Sequence, residues 1–186
     1  MKVLLHACCG PCASYCVEAL REAGHQVYGY FYNPNIHPSQ EYQRRLDSFM
    51  QFAETVELPV LNPGEYDYQE WLRRAAWREQ VRCPLCYQMR LEQTARIAKH
   101  GKFDAFTTTL LISPFQKHEV LKETGEAIAA AYDIPFLYMD FRTGFKRSVE
   151  LSKEMGLYRQ QYCGCIYSEA ERYAQDREKK KKTAKK

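Results

Sequence analysis

Eight cysteines carry the reactive chemistry of this 186-residue chain, and they fall into three groups along the sequence. In order, the groups are Cys8, Cys9, Cys12 and Cys16, then Cys83 and Cys86, then Cys163 and Cys165. Thiolates bind soft metals and iron–sulfur clusters, and pairs of thiols exchange with disulfides. Three groups that converge on one site would explain the cysteines as metal or redox chemistry rather than as structural disulfides.

The first cysteine group lies where a strand is expected to end and a helix to begin. The preceding run, Val3-Leu4-Leu5, is typical of a buried strand. Pro11 suits the first turn of a helix, because that turn makes no use of its missing backbone N–H. A helix N-terminus favours thiolates, the metal-binding form, at the first three cysteines. Cys16, one turn beyond Cys12, is interpreted as a buried apolar side chain.

The spacing of Cys83-Pro84-Leu85-Cys86 allows two thiolates to hold one metal ion or cluster. Together with Cys8 and Cys9 this pair makes four thiolates, for which zinc and an iron–sulfur cluster both remain open. One alternative function is therefore a structural zinc module that binds RNA. Another is a thioredoxin-like dithiol oxidoreductase, because Cys9-Gly10-Pro11-Cys12 opens a helix after a strand, although six cysteines then stay unexplained.

The third group, Cys163-Gly164-Cys165, has a single residue between its two sulfurs. A disulfide across this spacing closes a small, strained ring, and strained disulfides are the labile, catalytic kind. Gly164 allows the backbone to bend there. The spacing favours a redox pair, and the alternative of two further metal ligands stays open.

Strands that alternate with helices predict an α/β fold with a mostly parallel sheet. The expected strands lie at about 3–5, 26–32, 60–61, 105–109 and 136–139. Helices are expected at about 11–23, 40–57 (with Ser39 as its cap), 68–76, from 83 to about 99, and 117–132. Ligands of such sheets bind beyond the carboxyl ends of the strands. The active site is therefore expected at the edge shared by Cys8, Cys9, His37, residues 107–109 and residues 140–142.

Composition indicates one domain, because 186 residues with 45% hydrophobic content can build a single sizeable core. Six lysines stand among the last eight residues, and without them acidic residues slightly outnumber basic ones. We expect residues 1–175 to form the domain and residues 176–186 to be a disordered tail with non-specific affinity for RNA. No apolar run approaches a membrane-spanning length and no signal peptide is recognised, so a cytoplasmic protein without membrane contact is expected.

Four motifs occur together in this chain, and their combination is specific although each alone is weak. They are His6-Ala7-Cys8-Cys9; Arg82-Cys83-Pro84-Leu85-Cys86-Tyr87 with Arg90-Leu91; Thr107-Thr108-Thr109-Leu110 with Ser113-Pro114; and the run from Tyr158 to Cys165. On these motifs the chain resembles the cobalamin-independent (QueH-type) epoxyqueuosine reductases over about residues 1–175.

The resemblance implies a Rossmann-like parallel sheet similar to the adenine-nucleotide α-hydrolase (HUP) group, with a helical insertion that carries the Cys83/Cys86 pair. That group has a glycine-rich pyrophosphate loop after its first strand. Because Cys8-Cys9-Gly10-Pro11 occupies this place here, ATP use is not expected.

The resemblance also implies the last step of queuosine synthesis, in which an epoxide on a modified guanine at the tRNA wobble position is reduced to an alkene. The expected substrate is a tRNA with a GUN anticodon that carries epoxyqueuosine, and an electron donor of unknown identity is required. A 4Fe–4S cluster is implied, with Cys8, Cys9, Cys83 and Cys86 as its candidate ligands. An additional mononuclear iron is implied nearby, with Cys12 as a further candidate ligand. Whether Cys8 and Cys9 serve the cluster, the second iron or both stays open.

The catalytic candidates follow from the two electrons and two protons that the reduction needs. Cys163 and Cys165 are the candidates for the electrons. His6 and Asp140 are the candidates for proton transfer, with His37 and Tyr87 as further possibilities. A structural role is an equal alternative for each of them and is favoured for Tyr87. Stacking groups and cations suited to a splayed anticodon base are Tyr30, Tyr32, Arg44, Arg45, Arg142, Lys146 and Arg147.

Overall fold

The computed structural model describes the backbone of residues 1–183 and the side chains of residues 1–174. Its centre is a parallel sheet in which β1 (Lys2–Ala7) lies between β2 (Gln26–Phe31) and β3 (Ala105–Thr108). The register pairs Ala7 with Phe31 and His6 with Thr108, so the three carboxyl ends meet at one edge. Val3, Leu4 and Leu5 are fully buried, as the hydrophobic run predicts.

Single bridges extend the sheet on both sides. Val60 pairs with Gly29 of β2, and Phe136 pairs with Phe106 of β3. The strands predicted at 60–61 and 136–139 are therefore one-bridge contacts and not full strands. Pro59 and Pro63 flank the first contact and Pro135 precedes the second, and proline has no N–H to donate to a ladder. With these bridges the order is that of a Rossmann-like sheet, which confirms the predicted fold class.

The described residues form seven α-helices. They are α1 (Gly10–Glu22), α2 (Ser39–Thr55), α3 (Tyr68–Ala75), α4 (Arg82–His100), α5 (His118–Tyr132), α6 (Phe145–Glu154) and α7 (Ile166–Thr183). Helix α1 packs against α2 and α6, while α4 packs against α3 and α5, and both α1 and α4 contact β1. Two groups of helices thus cover the sheet.

The start of α1 brings the first cysteine group onto the edge of the sheet. Cys9 is the extended N-cap residue and Pro11 lies in the first turn, as predicted. A Cβ on Gly10 would collide with the backbone carbonyl of Ser48 in α2. Glycine therefore permits α2 to pack directly against the cysteine-bearing turn.

Two local expectations differ from the structure. Ser39 is the first residue of α2 and not its cap, because the cap position is held by Pro38 and no side chain caps the helix. Helix α7 continues through residues 176–183, where the sequence predicts a disordered tail. Residues 184–186 of that tail lie outside the described residues. Within the described part of the chain, every helix is too short or too polar to cross a membrane.

Candidate active site

Three cysteine sulfurs gather where β1 passes into α1. The Sγ atoms of Cys8, Cys9 and Cys12 all lie within 4.8 Å of one another, and those of Cys8 and Cys9 are 3.7 Å apart. Cys8 and Cys9 are buried and Cys12 is partly exposed. This group could hold a metal ion, as the sequence predicted. Cys16 is fully buried one turn further along α1 and lies outside this group, which agrees with its predicted role as an apolar side chain.

Cys8 is the thiol of the group that ionises first. Hydrogen bonds from Cys12 and Cys9 hold its pKa well below the usual range for a thiol, with a further contribution from Thr109. The hydroxyl of Thr109 donates to the Cys8 sulfur at 3.3 Å and accepts the Cys8 backbone N–H at 3.1 Å. Burial raises the pKa of Cys9, and the interaction with Cys8 raises that of Cys12. Binding of a metal ion would displace the thiol protons of Cys9 and Cys12.

Arg90 is a buried cation beside these sulfurs. Its guanidinium donates to the Asn33 side-chain oxygen at 2.7 Å and to the Cys86 sulfur at 3.6 Å, and its polar contacts among the described residues include no carboxylate. A buried charge without an opposite charge is strongly unfavourable. The nearest candidates for that opposite charge are the thiolates of Cys86 and Cys8, on which the Arg90 charge acts. The donor set therefore fits an anionic metal–thiolate centre.

Cys83 and Cys86 lie in the first turns of α4, and Cys86 precedes Arg90 by one turn. Cys86 is buried, and burial raises its pKa to about 12. Cys83 is partly buried and electrostatically coupled to Cys163. Neither sulfur belongs to the compact group of three.

The segment Cys163-Gly164-Cys165 faces the cysteines of α1 and α4. Both thiols are free, with Cys163 exposed and Cys165 buried. The Gln116 side-chain amide donates to the Cys163 sulfur at 3.4 Å. The Cys165 sulfur accepts the Ser168 backbone N–H at 3.4 Å, at the start of α7. Gly164 has a φ of 143°, a backbone conformation that residues with a Cβ rarely adopt.

Arg45 of α2 is hydrogen-bonded to the backbone of this segment. Its guanidinium pairs with Glu41 at 2.7 Å and donates to the carbonyl oxygens of Cys163 and Tyr162 at 2.9 and 3.0 Å. Arg45 is 1% exposed. The prediction that it contacts tRNA is therefore wrong, because its charge is used inside the protein. Tyr30 from the same set is also buried.

A cavity of about 550 Å³ opens above the cysteines. Cys8, Cys12 and Cys163 lie in its wall, so the first and third groups face one space. The Gln160 side-chain amide reaches the Cys12 sulfur at 3.8 Å. The cavity is large enough for a nucleoside-sized ligand and lies at the carboxyl edge of the sheet, where the sequence predicted the active site.

His6 lies under the site and is not part of the cavity wall. It is fully buried, and burial lowers its pKa to about 3. Its Nε2 lies 3.0 Å from the carbonyl oxygen of Tyr32 and 3.4 Å from the Nε of Arg90. Its Nδ1 lies 2.9 Å from the Thr108 hydroxyl, so both ring nitrogens have polar partners. A neutral, fully hydrogen-bonded imidazole fits the structural alternative better than proton transfer.

The other proton-transfer candidates are dispersed. Asp140 is exposed and bound by Arg142 at 2.6 and 2.8 Å, and these bonds lower its pKa to about 2. It is absent from the cavity wall. Tyr87 donates to the Gln116 side-chain oxygen at 2.8 Å, and burial raises its pKa. His37 packs against Trp71, and neither of its ring nitrogens has a hydrogen-bond partner among the described residues.

Sequence reasoning missed the roles of Arg90 and Arg45, and a spacing signal was present for both. Arg90 follows Cys86 by four residues, and Arg45 follows Glu41 by four residues. Side chains at this spacing meet on one face of a helix. The contact of Gln116 with Cys163 had no such signal, because it joins segments that are 47 residues apart.

The geometry disfavours the thioredoxin-like alternative. In that chemistry the first cysteine of the motif is a reactive, accessible thiolate. Here the corresponding Cys9 is fully buried and burial raises its pKa. Its sulfur also belongs to a group of three and not to an isolated pair with Cys12.

Comparison with known proteins identifies close sequence relatives. The family model described as Epoxyqueuosine reductase QueH matches residues 3–171. The protein of that name from Dehalococcoides mccartyi is 38% identical over 172 residues, which are 92% of this chain and 94% of the relative. Those from Thermotoga maritima and Haemophilus influenzae are 36% and 39% identical, over 91% and 90% of this chain and 91% and 71% of their own lengths.

A solved structure with a similar fold is a predicted subunit of tRNA methyltransferase from Methanocaldococcus jannaschii. The TM-score is 0.56, and the match covers 83% of this chain and 75% of the other. At 11% sequence identity it supports the α/β fold alone.

Proposed function

This chain belongs to the epoxyqueuosine reductase QueH family, and we propose from this premise that it reduces epoxyqueuosine at the wobble position of a tRNA with a GUN anticodon. The observation that carries the proposal beyond family membership is that all three cysteine groups act electrostatically on the buried Arg90, while the first and third groups line one cavity. The reaction is an oxidoreduction, in which an epoxide accepts two electrons and two protons and becomes an alkene and water.

The metal-binding part of the proposal assigns Cys8, Cys9, Cys83 and Cys86 to a 4Fe–4S cluster. Cys12, within 4.8 Å of Cys8 and Cys9, is the added ligand for a mononuclear iron. When bound, such centres pass electrons one at a time, and an iron with an open position acts as a Lewis acid on an epoxide. The buried charge of Arg90 supports this assignment, because it offsets the negative charge of thiolate ligands.

The dithiol part of the proposal assigns the electrons to Cys163 and Cys165. Two thiols become one disulfide and release two electrons and two protons. The substrate takes both: its two carbon–oxygen bonds to the epoxide oxygen break, a carbon–carbon double bond forms, and the oxygen leaves as water. The position of the Cys163 thiol in the cavity wall supports this role. An external electron donor then reduces the disulfide again.

The protein's other groups bind and orient in this scheme. Arg45 holds the backbone of Tyr162 and Cys163, and the Gln116 amide contacts the Cys163 sulfur. His6 stays neutral and braces the ends of β2 and β3 through Tyr32 and Thr108. A location in the cytoplasm, where such tRNAs are found, remains the prediction for the protein.

The test is an anaerobic reaction of purified, iron-reconstituted protein with tRNA that carries epoxyqueuosine, in the presence of a chemical reductant. The tRNA is digested and its nucleosides are analysed by mass spectrometry. We expect queuosine to replace epoxyqueuosine, and the protein to be brown. A colourless protein with stoichiometric zinc, no iron after reconstitution and no product would overturn the proposal in favour of a zinc module that binds RNA.

A further inference from the structure

Phe115 is a large apolar side chain that the fold keeps in solvent. It is 85% exposed and lies in the wall of the cavity that also contains Cys8, Cys12 and Cys163. One edge contact supports it, with the ring of Phe145 at 6.2 Å and an interplanar angle of 83°. Such a contact leaves a ring face of Phe115 uncovered.

The segment that carries Phe115 is firmly held, so its exposure is not a matter of a loose loop. The Phe115 backbone N–H donates to the Ser113 hydroxyl at 3.3 Å. The next residue, Gln116, accepts from the Tyr87 hydroxyl at 2.8 Å, and the Lys117 N–H donates to that same hydroxyl at 3.0 Å. The buried Tyr87 therefore fixes the backbone on the C-terminal side of Phe115.

Gln116 places Phe115 close to the proposed redox pair of Cys163 and Cys165. Its side-chain amide contacts the Cys163 sulfur, so Phe115 is one residue away from a direct contact with the proposed dithiol. A planar group laid on the exposed ring would thus lie at the mouth of the cavity beside Cys163. The amides of Gln160 and Gln161 lie in the same wall and offer donors and acceptors to the edge of such a group.

We propose that Phe115 is a stacking platform for an unpaired nucleobase of the substrate RNA, and that it holds this base against the mouth of the cavity. The inference rests on the proposed function, because it takes single-stranded anticodon bases as the ligand. Sequence-specific RNA recognition uses splayed bases stacked on aromatic side chains, with polar groups at the base edge. An exposed aromatic ring on a fixed backbone, bordered by amides, supplies both parts.

The chain offers a matched control in Trp77. This residue is even more exposed, at 96%, but it lies between α3 and α4 and is absent from the cavity wall. If any exposed aromatic side chain promoted RNA binding, Trp77→Ala and Phe115→Ala would have equal effects. Stacking at the cavity mouth predicts an effect of Phe115→Ala only.

The experiment measures binding and reduction with iron-loaded protein. The RNA is an anticodon stem–loop labelled with a fluorescent base analogue next to the wobble position. We expect Phe115→Ala to weaken binding about tenfold to a hundredfold, in the range of one stacked base. It should also quench the analogue less, while iron content stays at the wild-type level. Phe115→Tyr and Phe115→Trp should retain affinity, and Phe115→Leu should resemble Phe115→Ala.

Two results would overturn the inference while leaving the proposed function intact. One is a Phe115→Ala protein that binds and reduces the tRNA as well as the wild type does. The other is full affinity in Phe115→Leu, which would indicate a general apolar contact and not stacking. A wild-type protein that neither binds nor reduces the tRNA would instead reject the proposed function, and the inference with it.

Discussion

The guanidinium of Arg45 donates a hydrogen bond of 2.9 Å to the carbonyl oxygen of Cys163, a residue 118 positions further along the chain. The same side chain is paired with Glu41 and is almost fully buried. A buried cation that contacts the backbone of a proposed redox residue fixes where its thiol can lie. Arg45 is therefore a positioning residue, which acts through Cys163 and does not touch the substrate.

Arg45→Lys tests this role, because lysine keeps the charge beside Glu41 but lacks the planar fork that reaches two carbonyls. We expect turnover to fall about a hundredfold, the effect of a small misplacement at a reacting centre. The reduction potential of the Cys163/Cys165 pair should shift, while iron content is unchanged. Arg73→Lys, the same change at an exposed arginine of α3, is the control and should alter none of these. A loss of turnover with an unaltered potential would argue against positioning.

The assignment of Cys83 and Cys86 predicts metal loss on substitution. A serine hydroxyl is a much poorer ligand for soft metals than a thiolate. Cys83→Ser and Cys86→Ser should each lower bound iron and sulfide sharply, as measured by chemical analysis of anaerobic preparations. Cys16→Ala, a matched change at a fully buried cysteine, should leave iron nearly unchanged. Equal iron loss in all three proteins would show that the cysteines are grouped wrongly.

Removal of the Arg90 charge is expected to lower the metal affinity of the same centre. In Arg90→Met the neighbouring thiolates lose their buried positive partner, so we expect metal affinity to fall about 10- to 100-fold, as for other groups that support metal ligands. Arg90→Lys retains the charge and should retain more iron than the methionine variant. Iron-binding titrations and circular dichroism, which separates metal loss from unfolding, make the measurement. Identical iron binding in both variants would remove Arg90 from the account.

Replacement of Asp140, unlike the substitutions above, is expected to leave turnover unchanged. With a pKa of about 2, its carboxyl group is ionised throughout the neutral range and has no proton to donate. Asp140→Asn removes an exposed pair with Arg142, and exposed pairs contribute little to stability. Turnover and its dependence on pH should match those of the wild type. A change in the acidic limb of the pH profile would restore Asp140 as a catalytic candidate.

The parts of the fold that follow local rules were predictable from the sequence. The run Val3-Leu4-Leu5 and the position of Pro11 identified the junction of β1 and α1, and helical periodicity gave α2, α4 and α5 to within a few residues. The part of helix α7 beyond residue 175 was not predicted, because its sequence is highly charged and indistinguishable by composition from a solvated tail. The strands at 60 and 136 were overestimated because the prediction gave no weight to Pro59, Pro63 and Pro135, which limit the pairing there.

In the candidate site, too, features set by local sequence were predictable and features set by tertiary contacts were not. Cysteine types and spacings identified the three groups, and the geometry brings Cys8, Cys9 and Cys12 together. The sequence could not distinguish polar residues that form hydrogen bonds within the fold from those that are free to contact the substrate. Arg45 was expected to meet tRNA and His6 to transfer a proton, but both are buried and bonded by residues distant in sequence. The pairing of Arg45 with Glu41 could be inferred from their spacing, but the contacts of Arg45 with Cys163 and of His6 with Thr108 could not.

In the proposed mechanism the cysteines have two separate roles. One set holds the metal cluster (Cys8, Cys9, Cys83 and Cys86), and the other delivers the electrons (Cys163 and Cys165). The most direct test is a single-turnover reaction of the double variant Cys163→Ser with Cys165→Ser, beside the wild type, at matched iron content. Without added reductant, the reduced wild-type protein should convert bound epoxyqueuosine to queuosine. The double variant should keep its iron and bind the tRNA but form no product. A variant that comes out free of metal, or that converts the substrate like the wild type, would contradict the account.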